Sequence, residues 1–158
     1  CPRCSALEYT EEMWDQIIQL NQKSVFFLSQ LAARQFVKQK SRGKIINLAS
    51  MMSFLGGFNT AAYTASKSAV AGLTRVCASE WGALGINVNA LAPGWIKTGL
   101  SAALVADTAR YESVKARIPM GDWGEPDVFK GVAVLLASSA SDYINGAIIP
   151  VDGGYLTK

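Results

Sequence analysis

Apolar residues fall at helical spacing from Thr10 to about Gln39. Met13, Trp14, Ile17, Ile18, Leu20 and Val25 mark one side of the predicted helix, and Thr10 stands where a cap belongs. Glu11, Glu12 and Asp15 come early and Lys38 and Lys40 late, the order that complements a helix dipole. Gly43 is the predicted break. Lys44-Ile45-Ile46-Asn47-Leu48-Ala49 then changes the pattern to a short run rich in β-branching, which predicts a buried parallel strand. Residues 50–60, with Gly56 and Gly57, read as a loop. A second helix is predicted from Ala61 to Leu84. It is apolar or small on almost every side, so it should be covered all round, by its own sheet and by another subunit. Residues 85–92 predict a second strand, closed by Pro93-Gly94. Residues 95–119 are Ala-rich and weakly patterned, a mobile flap with one or two helices. Glu125-Pro126-Asp127 opens a helix that runs to Ala137, and Ala147 to Val151 predicts a last strand. Helix and strand alternate throughout, which predicts an α/β fold with a parallel sheet and crossover helices.

Composition narrows the class. The chain has 158 residues, half of them hydrophobic, enough for one domain with a sizeable core. Charged residues make up 17% and the net charge is +3. Lys38, Lys40, Arg42 and Lys44 are the one basic cluster, which fits a solvated helix end better than a nucleic-acid surface. No apolar run is long enough to span a bilayer and no signal-peptide pattern opens the chain, so the expectation is a soluble cytoplasmic protein without nucleic-acid or membrane partners. There is no histidine, which excludes Ser-His-Asp, Cys-His and histidine-based metal chemistry within this chain. Cys1-Pro2-Arg3-Cys4 has the spacing of a redox pair or half a zinc site. The only other cysteine is Cys77, so no second pair exists to complete the zinc site, and no metal is expected.

The candidate chemistry lies in Tyr63-Thr64-Ala65-Ser66-Lys67. On a helix, positions i and i+4 share a face, so the phenol and the ammonium point the same way. An ammonium beside a phenol favours the phenolate, by roughly 4 kcal/mol at 4 Å in an effective dielectric near 20 and before desolvation. That suits proton exchange near neutrality. Ligands of an open parallel sheet bind at the carboxyl ends of its strands. Ser50 follows the first strand, Pro93 and Gly94 follow the second, and Tyr63 and Lys67 open the helix after Ser50. All should meet on one rim. Plainer readings stand beside these: an exposed helix pair for Tyr63 and Lys67, a turn residue for Ser50, a solvent-facing Asn21, and a loop cap for Thr98. Trp95 and Trp123 read as flap packing rather than substrate contacts.

Asn21, the Asn47-Leu48-Ala49-Ser50 stretch, Tyr63-x-x-x-Lys67, the run from Asn87 to Gly94 and the closing Val151-Asp152-Gly153-Gly154 together resemble the short-chain dehydrogenase/reductase family over nearly the whole chain. Segments such as Asn21 to Phe27, Ser50 to Phe54 and Arg117-Ile118-Pro119 look most like its members that act on sugar acids. The resemblance implies a Rossmann-type, doubly wound parallel sheet with flanking helices, of which this chain is the catalytic and C-terminal part. It implies an oxidoreductase that interconverts a secondary alcohol and a ketone, on a deoxy-ketogluconate-type sugar acid, with NAD as cofactor and NADP not excluded. It also implies a homo-oligomer.

By the same resemblance, Tyr63 is the general acid/base, and Lys67 assists it and binds the nicotinamide ribose. Ser50 polarises the substrate oxygen. Asn21 distorts its helix and anchors a proton-relaying water. Pro93, Gly94, Ile96 and Thr98 line the cofactor, and Arg3 is a candidate contact for a substrate carboxylate. The family's glycine-rich strand–turn–helix and its Asn-Asn-Ala-Gly turn are absent from the sequence, so the expectation is a chain truncated at its N-terminus. Two alternatives follow: an inactive piece serving only in assembly, or a reductase of ketoacyl or polyketide substrates.

Overall fold

The computed structural model describes residues 4–157, so Cys1 and Arg3 lie outside the described residues. Helix α1 (Glu11–Ile18) starts at Thr10, whose hydroxyl accepts from the Met13 N–H. It does not run unbroken to Gln39. Gln19–Lys23 forms a π-helical turn before helix α2 (Ser24–Gln39) resumes the α geometry. Simple apolar spacing carries no sign of that extra residue. Gly43 does not end the helix either. Lys40 does, in a left-handed conformation (φ 54°) that lets the Lys40 and Ser41 N–H groups close on Val37 and Phe36. Gly43 instead opens strand β1 (Gly43–Leu48), and its missing Cβ makes room for the Phe36 ring, which would lie 2.2 Å from it.

Helix α3 (Ala61–Trp81) crosses from β1 to strand β2 (Ile86–Pro93), and strand β3 (Ile148–Val151) completes a parallel sheet in the order β1-β2-β3. Ile45 pairs with Val88 and Leu48 with Leu91, while Ala90 pairs with Ile148 and Pro93 with Val151. Between β2 and β3 the chain forms α4 (Ala102–Ala106), α5 (Thr108–Lys115) and α6 (Lys130–Ala137).

Period-two alternation sorts β2. Ile86, Val88, Ala90 and Ala92 pack against apolar side chains of α2 and α3, in two clusters with Ala33, Cys77, Ala78 and Val70. Asn87 and Asn89 serve the segment that leads into β3. Asn87 donates to the carbonyls of Asp142 and Ile144, and Asn89 both donates to Ile144 and accepts from the Ala147 N–H. These asparagines satisfy backbone groups that no strand reaches.

Helix α3 is covered by the sheet on one side, and its other side is the one the expectation gave to another subunit. Ala62, Ser66, Val70, Ala71, Thr74, Cys77 and Ala78 are buried, but Val76 is 51% exposed. Small residues at close spacing let the helix approach the sheet on one side, and nothing in the described chain covers the other. Phe26, Val37, Val76, Trp81 and Leu84 line an open groove between α2 and α3. No helix among the described residues is long and apolar enough to cross a membrane.

Candidate active site

Strand β1 delivers Ser50 to the carboxyl end of the sheet. Ala49 prolongs the pairing with its N–H on the Leu91 carbonyl, and Ser50 then turns the chain into the single 3-10 turn Met51–Ser53. Ser50 is buried, and its hydroxyl caps that turn by accepting from the Met52 N–H at 3.1 Å. Tyr63 and Lys67 occupy the first turns of α3, with the Lys67 Nζ 5.8 Å from the centre of the Tyr63 ring. The two share a face. Lys67 Nζ also donates to the Leu48 carbonyl at 2.7 Å, so the ammonium sits at the end of β1, two residues before Ser50. Burial pushes the Lys67 ammonium below the ordinary lysine range.

Asn21 lies in the π-helical turn, and its side-chain amide donates to Ser66 Oγ at 3.4 Å. Ser66 is fully buried and donates to the Tyr63 carbonyl at 2.7 Å. Asn21 and the Tyr63 backbone are thus joined through one hydroxyl. The resemblance named Asn21 but not Ser66, whose signal in the sequence was only a small polar residue on a face otherwise apolar.

Pro93 ends β2, and Gly94 N–H reaches the Val151 carbonyl. A Cβ at residue 94 would fall 2.6 Å from the Asp152 Cα, so the close approach of the two strand ends requires glycine. Ile96 forms an isolated parallel bridge with Gly124. The Thr98 N–H is taken by Ser101 Oγ at 2.9 Å, and Thr98 caps the turn Gly99–Ser101. The structure therefore gathers Asn21, Ser50, Tyr63 and Lys67 at one end of β1, with Pro93 and Gly94 at the same end of the neighbouring strand. Ile96 and Thr98 begin the flap.

That flap is a packed aromatic layer. Trp95 and Trp123 lie 4.9 Å apart, Tyr111 stacks on Trp123 at 5.4 Å, and the Arg117 guanidinium sits 4.4 Å over Tyr155. Met51, buried, joins Trp123, Val114, Ile118 and Tyr155 in the same cluster, and Met52 packs at its edge, so the loop carrying Ser50 is roofed by the flap. Sequence reasoning missed the polar edge of this layer. Asp122 accepts from the Tyr111 hydroxyl, from Lys97 and from the Trp123 N–H, and these bonds hold its carboxyl at about 2. Asp122 and Glu125 both face Lys97 and push its ammonium above the usual lysine range. Among the described residues, no cluster of three or more acidic or cysteine side chains stands ready to hold a metal.

A family model described as enoyl-(acyl carrier protein) reductase matches residues 2–156. The 2-dehydro-3-deoxy-D-gluconate 5-dehydrogenase of Dickeya dadantii (strain 3937) is 55% identical over 156 residues, covering 99% of this chain and 62% of that protein. The chain therefore spans less than two thirds of this relative. Among solved structures, the gluconate 5-dehydrogenase of Burkholderia cenocepacia J2315, in complex with NADP and tartrate, superposes with a TM-score of 0.95 at 38% identity. It shares 99% of this chain and 61% of its own. A 4-hydroxyisoleucine dehydrogenase complexed with NADH superposes at 0.94 with 30% identity, over 99% of this chain and 65% of its own.

Proposed function

The chain belongs to the short-chain dehydrogenase/reductase family, and we propose that it carries the proton-transfer machinery of an oxidoreductase that interconverts a secondary alcohol and a ketone on a deoxy-ketogluconate-type sugar acid. One observation supports this above the others: the Lys67 ammonium lies over the Tyr63 ring on the face of α3 that meets the Ser50 loop. In the reducing direction negative charge grows on the substrate oxygen. The Tyr63 hydroxyl gives that oxygen its proton, and the Ser50 hydroxyl donates a hydrogen bond to it. Lys67 stabilises the phenolate left behind, and its partial burial strengthens that attraction. In the oxidising direction the same groups take the proton back.

The donor set suits the nicotinamide end of a dinucleotide. Tyr63 and Lys67 present a hydroxyl and an ammonium toward the rim where β1 and β2 end, and Pro93 and Gly94 supply a close, side-chain-poor approach. Tyr63, Lys67, Pro93, Gly94, Ile96 and Thr98 are the residues that would hold it. When bound, the cofactor supplies the hydride. Some solved neighbours carry NADP and others NADH, and both forms are admitted here. Assembly into a homo-oligomer belongs to the same proposal, supported by the apolar groove between α2 and α3. Cytoplasmic residence, where such a cofactor is available, belongs to it too.

The test is to measure oxidation of NADH and NADPH by the chain with a panel of keto sugar acids and ketoacyl thioesters. Tyr63→Phe is expected to lower turnover on the preferred keto sugar acid by about 10² to 10⁴. Near-wild-type turnover by Tyr63→Phe would overturn the mechanism. Preference for the ketoacyl thioesters would overturn the substrate class. Fluorescence titration with both cofactors distinguishes an enzyme from a piece that serves only in assembly, which would show no saturable binding.

A further inference from the structure

Ser50 and the Tyr63–Lys67 pair come from different elements, the end of a strand and the start of a helix. Seven residues of irregular chain, 54–60, connect them, of which Phe58 is 90% exposed. A loop of that kind does not by itself hold two functional groups at fixed spacing. The Lys67 ammonium ties α3 to the Leu48 carbonyl, and hydroxyls tie it to the Ser50 turn. Ser50 N–H donates to Ser53 Oγ at 3.3 Å, and Ser53 Oγ in turn donates to the Lys67 carbonyl at 2.6 Å. Ser68 Oγ adds a bond to the Met52 carbonyl at 3.4 Å. Ser53 also closes the turn through its own N–H, which reaches the Ser50 carbonyl at 2.9 Å.

Ser53 is thus the side chain, among the described residues, that hydrogen-bonds the backbone of both Ser50 and Lys67. Its oxygen is used as acceptor and donor at once. An alanine removes both bonds, and a threonine keeps both. Neither bond involves the Ser50 hydroxyl or the Lys67 ammonium, so the chemistry of those groups is left free.

We propose that Ser53 is a positioning residue, whose hydroxyl sets the spacing between the Ser50 hydroxyl and the Tyr63–Lys67 pair by bridging the two backbones. The inference rests on the oxidoreductase reading of this site. It predicts that Ser53→Ala lowers kcat by about 10- to 100-fold, as expected for a displacement approaching 1 Å, while KM for the cofactor changes less than kcat, because Ser53 is not itself among the residues that would hold the cofactor. Ser53→Thr restores kcat. In a Ser50→Ala background, Ser53→Ala costs little more, because the group it positions is already gone.

A second readout does not depend on turnover. In hydrogen exchange followed by mass spectrometry, Ser53→Ala is expected to speed exchange of the amides from Ser50 to Leu55 by about tenfold, the effect of losing one to two hydrogen bonds of ordinary strength. The amides of the β1–β2 ladder should be unchanged. If the wild-type chain shows no turnover with any substrate, the oxidoreductase reading fails, and the exchange result alone decides whether Ser53 pins the loop. Unchanged exchange over residues 50–55 overturns the proposal. So does a Ser53→Ala loss that is fully additive with Ser50→Ala, or a kcat equal to wild type. Should Ser53→Ala fail to fold, Ser53→Cys preserves the shape and weakens both hydrogen bonds. A kcat for Ser53→Cys equal to wild type would overturn the proposal equally.

Discussion

Asn47 offers a sharp test of how the site is held. It is buried next to the end of β1, and its side chain is shared between two helices. Ser29 Oγ of α2 donates to Asn47 Oδ1 at 3.2 Å, and Asn47 Nδ2 donates to Thr74 Oγ1 of α3 at 3.0 Å. Thr74 passes its own proton to the Val70 carbonyl at 2.8 Å. Asn47→Leu keeps the approximate volume and removes both side-chain bonds. Ser29 loses its acceptor in a buried place, and Thr74 loses one donor while keeping the bond it gives. One stranded group costs about 1–3 kcal/mol and the second lost bond about 1 kcal/mol, so Asn47→Leu should destabilise the chain by about 2–4 kcal/mol. Urea unfolding followed by circular dichroism measures this as a lower midpoint with an unchanged slope. The triple replacement Ser29→Ala, Asn47→Leu, Thr74→Val removes all the partners together and should recover most of the loss. A single variant within about 0.5 kcal/mol of wild type, the range of ordinary surface changes, would refute the reasoning. A triple variant no better than the single one would refute it too, since the cost would then be packing and not stranded polar groups.

Three further outcomes are expected. Gly94→Ala places a methyl against the Asp152 backbone at 2.6 Å and should cost about 1–3 kcal/mol as an overpacked contact, read as a lower Tm. Acidification should loosen the flap. The Asp122 carboxylate is held at about 2 against its ordinary 3.8, so the stability it contributes is present above 3.8 and lost as pH falls through about 2. Tryptophan fluorescence should change over that window, and Asp122→Asn should abolish the change. Lys67 gives a slope of the same sign from a different cause. Burial lowers its proton affinity in the folded chain below the ordinary 10.5, so between its depressed value and 10.5 the unfolded chain binds more protons and stability rises with pH. Unfolding free energies across that interval, compared with Lys67→Met, should show the rise in wild type and a smaller one in the variant.

The order of helices and strands was legible because periodicity changes sharply at Gly43, Ser50 and Pro93. The rim was legible for a related reason: a parallel sheet sends every strand end to one side, so Ser50 and Pro93-Gly94 had to meet. The π turn at Gln19–Lys23 was not legible from spacing. One extra residue in a helix shifts the apolar face by about 100°, which a segment as mixed as Gln19-Leu20-Asn21-Gln22-Lys23 cannot reveal. The Asp122–Lys97–Tyr111 network was hidden because Lys97 and Tyr111 lie 25 and 11 residues from Asp122, across a weakly patterned segment whose short helices α4 and α5 leave no periodic signal to pair them. The sheet-side cover of α3 was legible from its small residues, which allow close packing, while the outer side carrying Val76 and Ser68 is the one the expectation gave to another subunit.

The hydroxyl groups share a logic that composition does not display. Ser29, Ser53, Ser66 and Thr74 each bond a group on another element or another turn, and each has Asn21, Asn47, Tyr63 or Lys67 as a hydrogen-bond partner. An apolar core alone would permit α2 and α3 to slide on the sheet by fractions of an ångström at little cost, because dispersion is not directional. Hydrogen bonds are directional, and a buried one left unmade is expensive. A proton transfer between Tyr63 and a substrate oxygen tolerates little misplacement. Hydroxyls that tie α2, α3 and the Ser50 turn to one another are therefore what a site of this kind requires, and the far side of α3, where Val76 lies open, shows the same helix without that requirement.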